Sequence, residues 1–149
     1  MPITPEHVGR SYPPTAPYRI SRAKIAEFAA ALGGSEGGDT NPAYAGENPM
    51  APPTFAIVIG AQAWDALFGD EELGLALMRT MHADQRFDWV RPLREGDDVV
   101  AQLTIDKVRN RGNTDMVSIS VALSTVQGEP LCTASSQLIH TRPQQEEQA

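Results

Sequence analysis

Carboxylate, amide and phenol groups fall together in Gly38-Asp39-Thr40-Asn41-Pro42-Ala43-Tyr44, which makes this stretch the first candidate for chemistry. A carboxylate and an amide held beside a cleft by a glycine-rich turn can orient a water or polarise a hydroxyl. The same residues suit a plain turn or helix cap, because Asp and Asn side chains bond neighbouring amides. A second candidate is Ala51-Pro52-Pro53-Thr54-Phe55, where proline begins an apolar run. If that run is helical, its first amides carry partial positive charge and can hold a thioester oxygen as negative charge develops there. The competing reading is a proline-initiated helix with no ligand.

His7, His82 and His140 are far apart, and none has a metal-ligand spacing such as His-x-x-x-His, so neither a metal nor a cofactor is expected. His82 reads as a solvated or edge-pairing strand residue near Asp84. The chain has no Gly-x-Ser-x-Gly elbow, P-loop or Gly-x-Gly-x-x-Gly, so hydrolase, nucleotide-triphosphatase and dinucleotide readings gain no support.

Helices must position the two candidates. Ser21 suits an N-cap, and Ile25, Phe28, Ala29 and Leu32 follow at helical spacing until Gly33 and Gly34. From Pro53 to Phe68 the chain is apolar on every side, with proline at the start and Gly69 after the end. Such a helix must be enclosed, and at 16 residues it falls short of a membrane span. Gly60 lies in its interior, where glycine costs about 1 kcal/mol relative to alanine. That choice suits close packing against a sheet or room for an acyl tail.

After position 78 the apolar period becomes two. Met81, Ala83, Phe87 and Trp89 alternate with His82, Asp84, Arg86 and Asp88. Val99 to Ile105, Val117 to Leu123 and about Leu131 to Thr141 form three further strands. The links Arg94-Glu95-Gly96-Asp97, Asn110-Arg111-Gly112-Asn113 and Gln127-Gly128-Glu129-Pro130 are short, which predicts antiparallel neighbours in a long meander. The expected architecture is α+β, one antiparallel sheet wrapped around one buried helix. Nine of the 12 prolines fall in the first 53 residues, so the N-terminal half is expected to be loops and helix.

At 149 residues and 41% hydrophobic the chain supports one core, a single domain over 1–143 with a polar tail at 144–149. Twelve Lys and Arg against 19 Asp and Glu leave a net charge of −7, which argues against nucleic-acid binding. No apolar run is long enough to span a bilayer, and MPITPEHVGR lacks the pattern of a secretory signal. The lone Cys132 fits a reducing compartment, so a cytoplasmic location is expected.

Taken together, Gly38-Asp39-Thr40-Asn41-Pro42, the Ala51 to Phe55 helix start and Gln85-Arg86-Phe87 with Arg91-Pro92-Leu93-Arg94-Glu95-Gly96-Asp97 resemble MaoC-like hydratases and dehydratases. More narrowly, the chain resembles their N-terminal half and the substrate-binding subunit of actinobacterial (3R)-hydroxyacyl-carrier-protein dehydratases. The resemblance runs from about Val8 to Thr141 and implies the hot-dog fold. The family's motif is Gly-Asp-x-Asn-Pro-x-His, whose aspartate and histidine form the acid/base pair. Asp39, Asn41 and Pro42 match it, whereas Tyr44 stands in the place of the histidine and Thr54 in that of the glycine at the oxyanion helix. Tyrosine, with a reference pKa of about 10, is a poor base at neutral pH, where imidazole at about 6.5 is well suited.

The resemblance therefore implies a non-catalytic or weakly catalytic acyl-thioester-binding subunit of a dehydratase or enoyl hydratase. Asp39, Asn41 and Tyr44 would be its degenerate catalytic set, and Thr54, Phe55 and Gly60 its substrate-binding residues. A second hot-dog subunit is implied, identical or catalytic, together with an acyl thioester of coenzyme A or acyl-carrier protein. A self-sufficient homodimeric hydratase, a binding module without turnover and a hot-dog thioesterase are the alternatives. Residues 79–111 hold seven Lys and Arg against six Asp and Glu, whereas residues 1–72 hold four against nine. The less acidic β-rich part could receive an acidic carrier or phosphates.

Overall fold

The computed structural model describes residues 2–33 and 41–144. Five antiparallel strands form one sheet in the order β1-β3-β4-β5-β2: β1 Tyr18–Arg19, β2 Thr80–Trp89, β3 Asp98–Arg111, β4 Thr114–Thr125 and β5 Pro130–Thr141. Strands β3 and β4 carry the predicted alternation. Val99, Ala101, Leu103 and Ile105 of β3 face inward with Val117, Ile119, Val121 and Leu123 of β4, and all are buried. Gly112 (φ +59°) and Gly128 (φ +93°) close the two hairpins in backbone conformations that favour glycine.

The meander covers only β3, β4 and β5. β2 pairs with β5, at the far edge from β3, so the short link between β2 and β3 does not join neighbours. That link instead crosses the end of the sheet and packs on the chain before the 53–68 helix. Ala51 donates its amide to Leu93 O at 2.8 Å, Glu95 donates to Pro49 O at 3.1 Å, and Leu93 is fully buried.

The N-terminal half is also less loop-like than expected. Gly9, Tyr12 and Thr15 donate amides to Ile105, Leu103 and Ala101 carbonyls, and β1 continues the pairing, so residues 9–19 cover the outer edge of β3. Arg10 and the Tyr12 hydroxyl both bond Asp70 Oδ2 at 2.7 Å, fastening this segment to the end of the long helix.

Helix α1 spans Arg22–Leu32, with the Ser21 hydroxyl accepting from Lys24 N at 3.2 Å. Of its predicted face, Ile25 is buried and Phe28 packs on the core, while Leu32 lies exposed. The capping glycine, Gly33, is right-handed, and Gly34 lies outside the described residues.

The 53–68 helix starts and stops at the prolines and glycine that predicted it. Within it, 3-10 turns at Pro53–Phe55 and Ala61–Ala63 alternate with α-helical turns at Ala56–Gly60 and Trp64–Phe68. Phe55, Ala56, Ile59, Gly60, Ala63 and Leu67 face the sheet and are buried. The opposite side is only half enclosed, at Ile57, Val58, Trp64 and Phe68, because one curled sheet covers one face of a helix. This is the hot-dog arrangement, and no described helix is long and apolar enough to cross a membrane.

Candidate functional site

Asn41 begins the described part of the first motif; Asp39 lies outside the described residues. The Asn41 side chain acts as a cap. Its Oδ1 accepts from Ala43 N at 3.0 Å, and its carbonyl accepts from Tyr44 N at 2.9 Å, closing a 3-10 turn over Pro42–Tyr44. Tyr44 packs half-buried against the core from this turn. Met50 then donates to Ala43 O at 2.7 Å, which draws the turn against the strand of chain leading into Pro52 and Pro53. The two motifs, separate in sequence, are neighbours in space.

At the helix start Pro52 and Pro53 carry no N–H, so Thr54 is the first residue there with an amide to donate. Thr54 is exposed. Phe55 turns inward, stacking edge-on against Phe28 (centroids 5.3 Å, 84°) and tilted against Tyr18 (6.3 Å). Gly60 presses its backbone to the sheet; a Cβ built there would meet Ala134 Cβ at 3.7 Å and Leu123 Cδ1 at 3.9 Å, which is ordinary contact. An apolar cavity of about 270 Å³ opens beside the helix start, lined by Met50, Ala51, Pro53, Trp89, Val90, Arg91 and Pro92.

The third motif braces that cavity. Arg91 bonds both oxygens of Asp97 (2.9 and 3.1 Å) and reaches Glu129 at 2.8 Å. Burial opposes the charge of Asp97, but the Arg91 hydrogen bonds and the Arg94 amide outweigh it and hold the carboxyl below its usual range. Its role is to fix the crossing link that forms one wall.

Sequence reasoning placed His82 on the outward face of its strand and left His140 unplaced. A β-bulge at Ala83, between His82 and Asp84, reverses the expected faces of the first part of β2. Met81 therefore points outward, 65% exposed, and His82 points to the helix side, edge-on to Trp64 (5.1 Å, 80°). Gln85 Oε1 takes hydrogen bonds from His82 Nε2 at 3.0 Å and Ser136 Oγ at 2.5 Å. His140 is fully buried and structural. Its Nε2 accepts from Ala76 N at 3.2 Å, so Nδ1 carries the proton toward Asp115 Oδ2 at 3.2 Å. Period-two alternation would have shown His140 on the inner face; no sequence signal marks the bulge. His7 caps the turn at Thr4, whose amide donates to its Nδ1 at 3.0 Å.

Over residues 6–134 the sequence matches the family described as FAS1-like, dehydratase domain region. The chain belongs to this family. The FAS1-like dehydratase domain is 54% identical over 144 residues to a UPF0336 protein of Cutibacterium acnes, covering 97% of this chain and 98% of that one. A UPF0336 protein of Streptomyces coelicolor is 37% identical over 148 residues, covering 93% and 95%. Among solved structures, the fold of this FAS1-like dehydratase domain matches the C-terminally truncated HadBC (3R-hydroxyacyl-ACP dehydratase) complex of Mycobacterium tuberculosis. That match has a TM-score of 0.74 at 24% identity, over 89% of this chain and 96% of that one. A MaoC-like dehydratase also matches at TM-score 0.74 and 19% identity, over 91% of this chain and 42% of that one. These structural likenesses establish the MaoC-like hot-dog fold.

Proposed function

We propose that this domain is an acyl-thioester-binding subunit of a (3R)-hydroxyacyl-thioester dehydratase or enoyl hydratase, with little or no turnover of its own. The observation that carries the reading is Tyr44, which puts a phenol on the capped turn where the motif calls for imidazole. A phenol is a weak proton acceptor near neutrality, so the acid/base pair is incomplete.

In this reading Asp39, Asn41 and Tyr44 form the polar end of the site, and the Thr54 amide faces the thioester oxygen. Phe55 and Gly60 set how far an acyl tail reaches between helix and sheet. The ligand is an acyl thioester of coenzyme A or acyl-carrier protein, the setting is the cytoplasm, and a second hot-dog subunit completes the site. The fold likeness to the HadBC complex supports a two-subunit arrangement.

The test is hydration of a trans-2-enoyl coenzyme A thioester by the purified chain, beside calorimetric titration with a saturated acyl coenzyme A. Binding is expected, with turnover lower by about 10²- to 10⁴-fold than in a member with the intact motif, the usual contribution of a general base. Tyr44→His should recover part of it. Robust wild-type turnover that disappears in Asp39→Asn would replace this reading with the self-sufficient homodimeric hydratase, and absence of acyl binding would remove it.

A further inference from the structure

The face of the sheet turned away from the helix is mostly hydroxyl and amide, with Thr104, Ser118, Ser120, Ser135 and Gln137 across its middle, as suits a strand face in water. At one end the chemistry changes. Strand pairing sets Met116 of β4 opposite Ile139 of β5, and Ile139 opposite Met81 of β2, so three apolar side chains form a row across adjacent strands. Their neighbours Val117 and Leu138 are buried on the inner face, which fixes the row as outward. Met116 is 40% and Met81 65% exposed, and Met78, which shares a groove with Met81 and Ile139, is 92% exposed. An exposed apolar row of this kind marks an interaction surface, and methionine adapts to varied partners.

Cations border the row. Arg109 pairs with Met116 and stands at its β3 end. Lys107, opposite Ser118, lies one row toward the middle of the sheet. Arg111, opposite Thr114, and Arg79, beside Thr141, lie one row toward its end. Among the described residues none of these four forms an ion pair, whereas Arg10, Arg19, Arg86 and Arg91 elsewhere on the surface all do. Across the three rows Asp84, opposite Gln137, is the one carboxylate. A chain of net charge −7 thus keeps unneutralised cations around an exposed apolar row. The partner that complements both features is acidic and apolar at once.

The relief of the surface favours a helix. One groove lies between β4 and β5, among Met116, Leu138 and Ile139, and a second of about 380 Å³ lies on the far side of Ile139, among Met78, Met81 and Thr141. An α-helix laid along the row repeats its apolar side chains about every 5.4 Å, close to the strand spacing of about 4.8 Å. Residues at i, i+4 and i+7 of such a helix enter successive grooves. Carboxylates on its two flanks then meet Lys107 on one side and Arg111 and Arg79 on the other, with Arg109 at the end.

We infer that this end of the outer sheet face docks an amphipathic helix of another protein, one whose apolar stripe is flanked by Asp and Glu. The inference goes beyond the thioester reading and does not depend on it. Met81 and Trp89 stand at opposite ends of β2, roughly 25 Å apart at about 3.3 Å per residue, so the helix sits away from the cavity beside Pro53.

Fluorescence anisotropy of the full chain with a labelled synthetic helix of about 20 residues tests it, the peptide carrying a leucine stripe and glutamate on both flanks. Binding should saturate and weaken as salt rises. Met81→Ser and Arg109→Glu, both at exposed positions, should each weaken it by roughly tenfold or more with the thermal midpoint unchanged. Lys24→Glu, on α1, should leave it unaltered, and the same peptide with lysine for glutamate should not bind. Absence of saturable binding, indifference to both Met81→Ser and Arg109→Glu, or equal binding of the lysine peptide would overturn the inference. So would Met81-dependent sedimentation with phosphatidylglycerol–phosphatidylcholine vesicles in place of peptide binding, which would assign the surface to a membrane. Met81-dependent self-association in light scattering, again without peptide binding, would assign it to a second copy and overturn it equally. None of the substituted residues belongs to the proposed thioester site, so acyl coenzyme A binding reports on that reading separately.

Discussion

The amide of Met50 donates to the carbonyl of Ala43 at 2.7 Å, and this bond sets the separation between two motifs that the sequence keeps apart. On one side of it lies the capped turn with Tyr44; on the other, the helix start with Thr54. Neither motif alone defines a site. The proposed site rests on their juxtaposition beside an apolar cavity, and the Arg91 network keeps the opposite wall in place.

Asn41 acts on the turn before it acts on any ligand. Asn41→Ala should lower stability by about 1 kcal/mol, the usual worth of a cap, and Asn41→Asp should retain most of it. Urea titration of the two variants checks this; equal loss in both would assign the effect to the amide group rather than to the accepting oxygen.

Gly60→Ala should raise stability by about 0.5–1 kcal/mol, since the new methyl meets Ala134 and Leu123 at ordinary contact distances and the helix gains propensity. Under the proposed function the same methyl narrows the acyl path. Thermal melting should therefore rise while the longest acyl chain bound becomes shorter, as read by calorimetry with a chain-length series.

Asp97 links stability to pH. Its folded pKa is depressed, so its contribution is fully present above the unfolded value of about 3.9 and is lost as pH falls through the folded one. Glu129, held low by Arg91, has the same sign. Arg91→Gln should cost about 1.5–3 kcal/mol at pH 7, the worth of hydrogen bonds to charged groups, and should flatten the decline of Tm below pH 4. An unchanged acid limb would show that other carboxylates govern it.

The strong periodic signals were legible. Alternation over 99–105 and 117–123 specified the cores of β3 and β4, which extend to 98–111 and 114–125, and the prolines at 52 and 53 with Gly69 bounded the long helix. What escaped was set by tertiary context. A two-residue strand at Tyr18–Arg19 has no period to read, and its place exists only because β3 offers an edge. The position of β2 beyond β5 follows from packing around the helix, which no turn signal near Gly96 could announce. One bulged residue, Ala83, exchanged the faces of Met81 and His82. At the site, the types and order of Asn41, Tyr44 and Thr54 were visible, but the bond that unites them lies between backbone atoms of Ala43 and Met50, which carry no side-chain signature.

The chain segment lying along β3 also limits how far any assembly can grow. Gly9, Tyr12 and Thr15 consume carbonyls that a further strand would need, so among the described residues the sheet has one free valence instead of two. Units with a single valence terminate each other on meeting. Sheet addition through β2 therefore stops at a pair and cannot propagate into a fibre, and removing residues 2–19 would turn a chain terminator into a monomer for polymerisation.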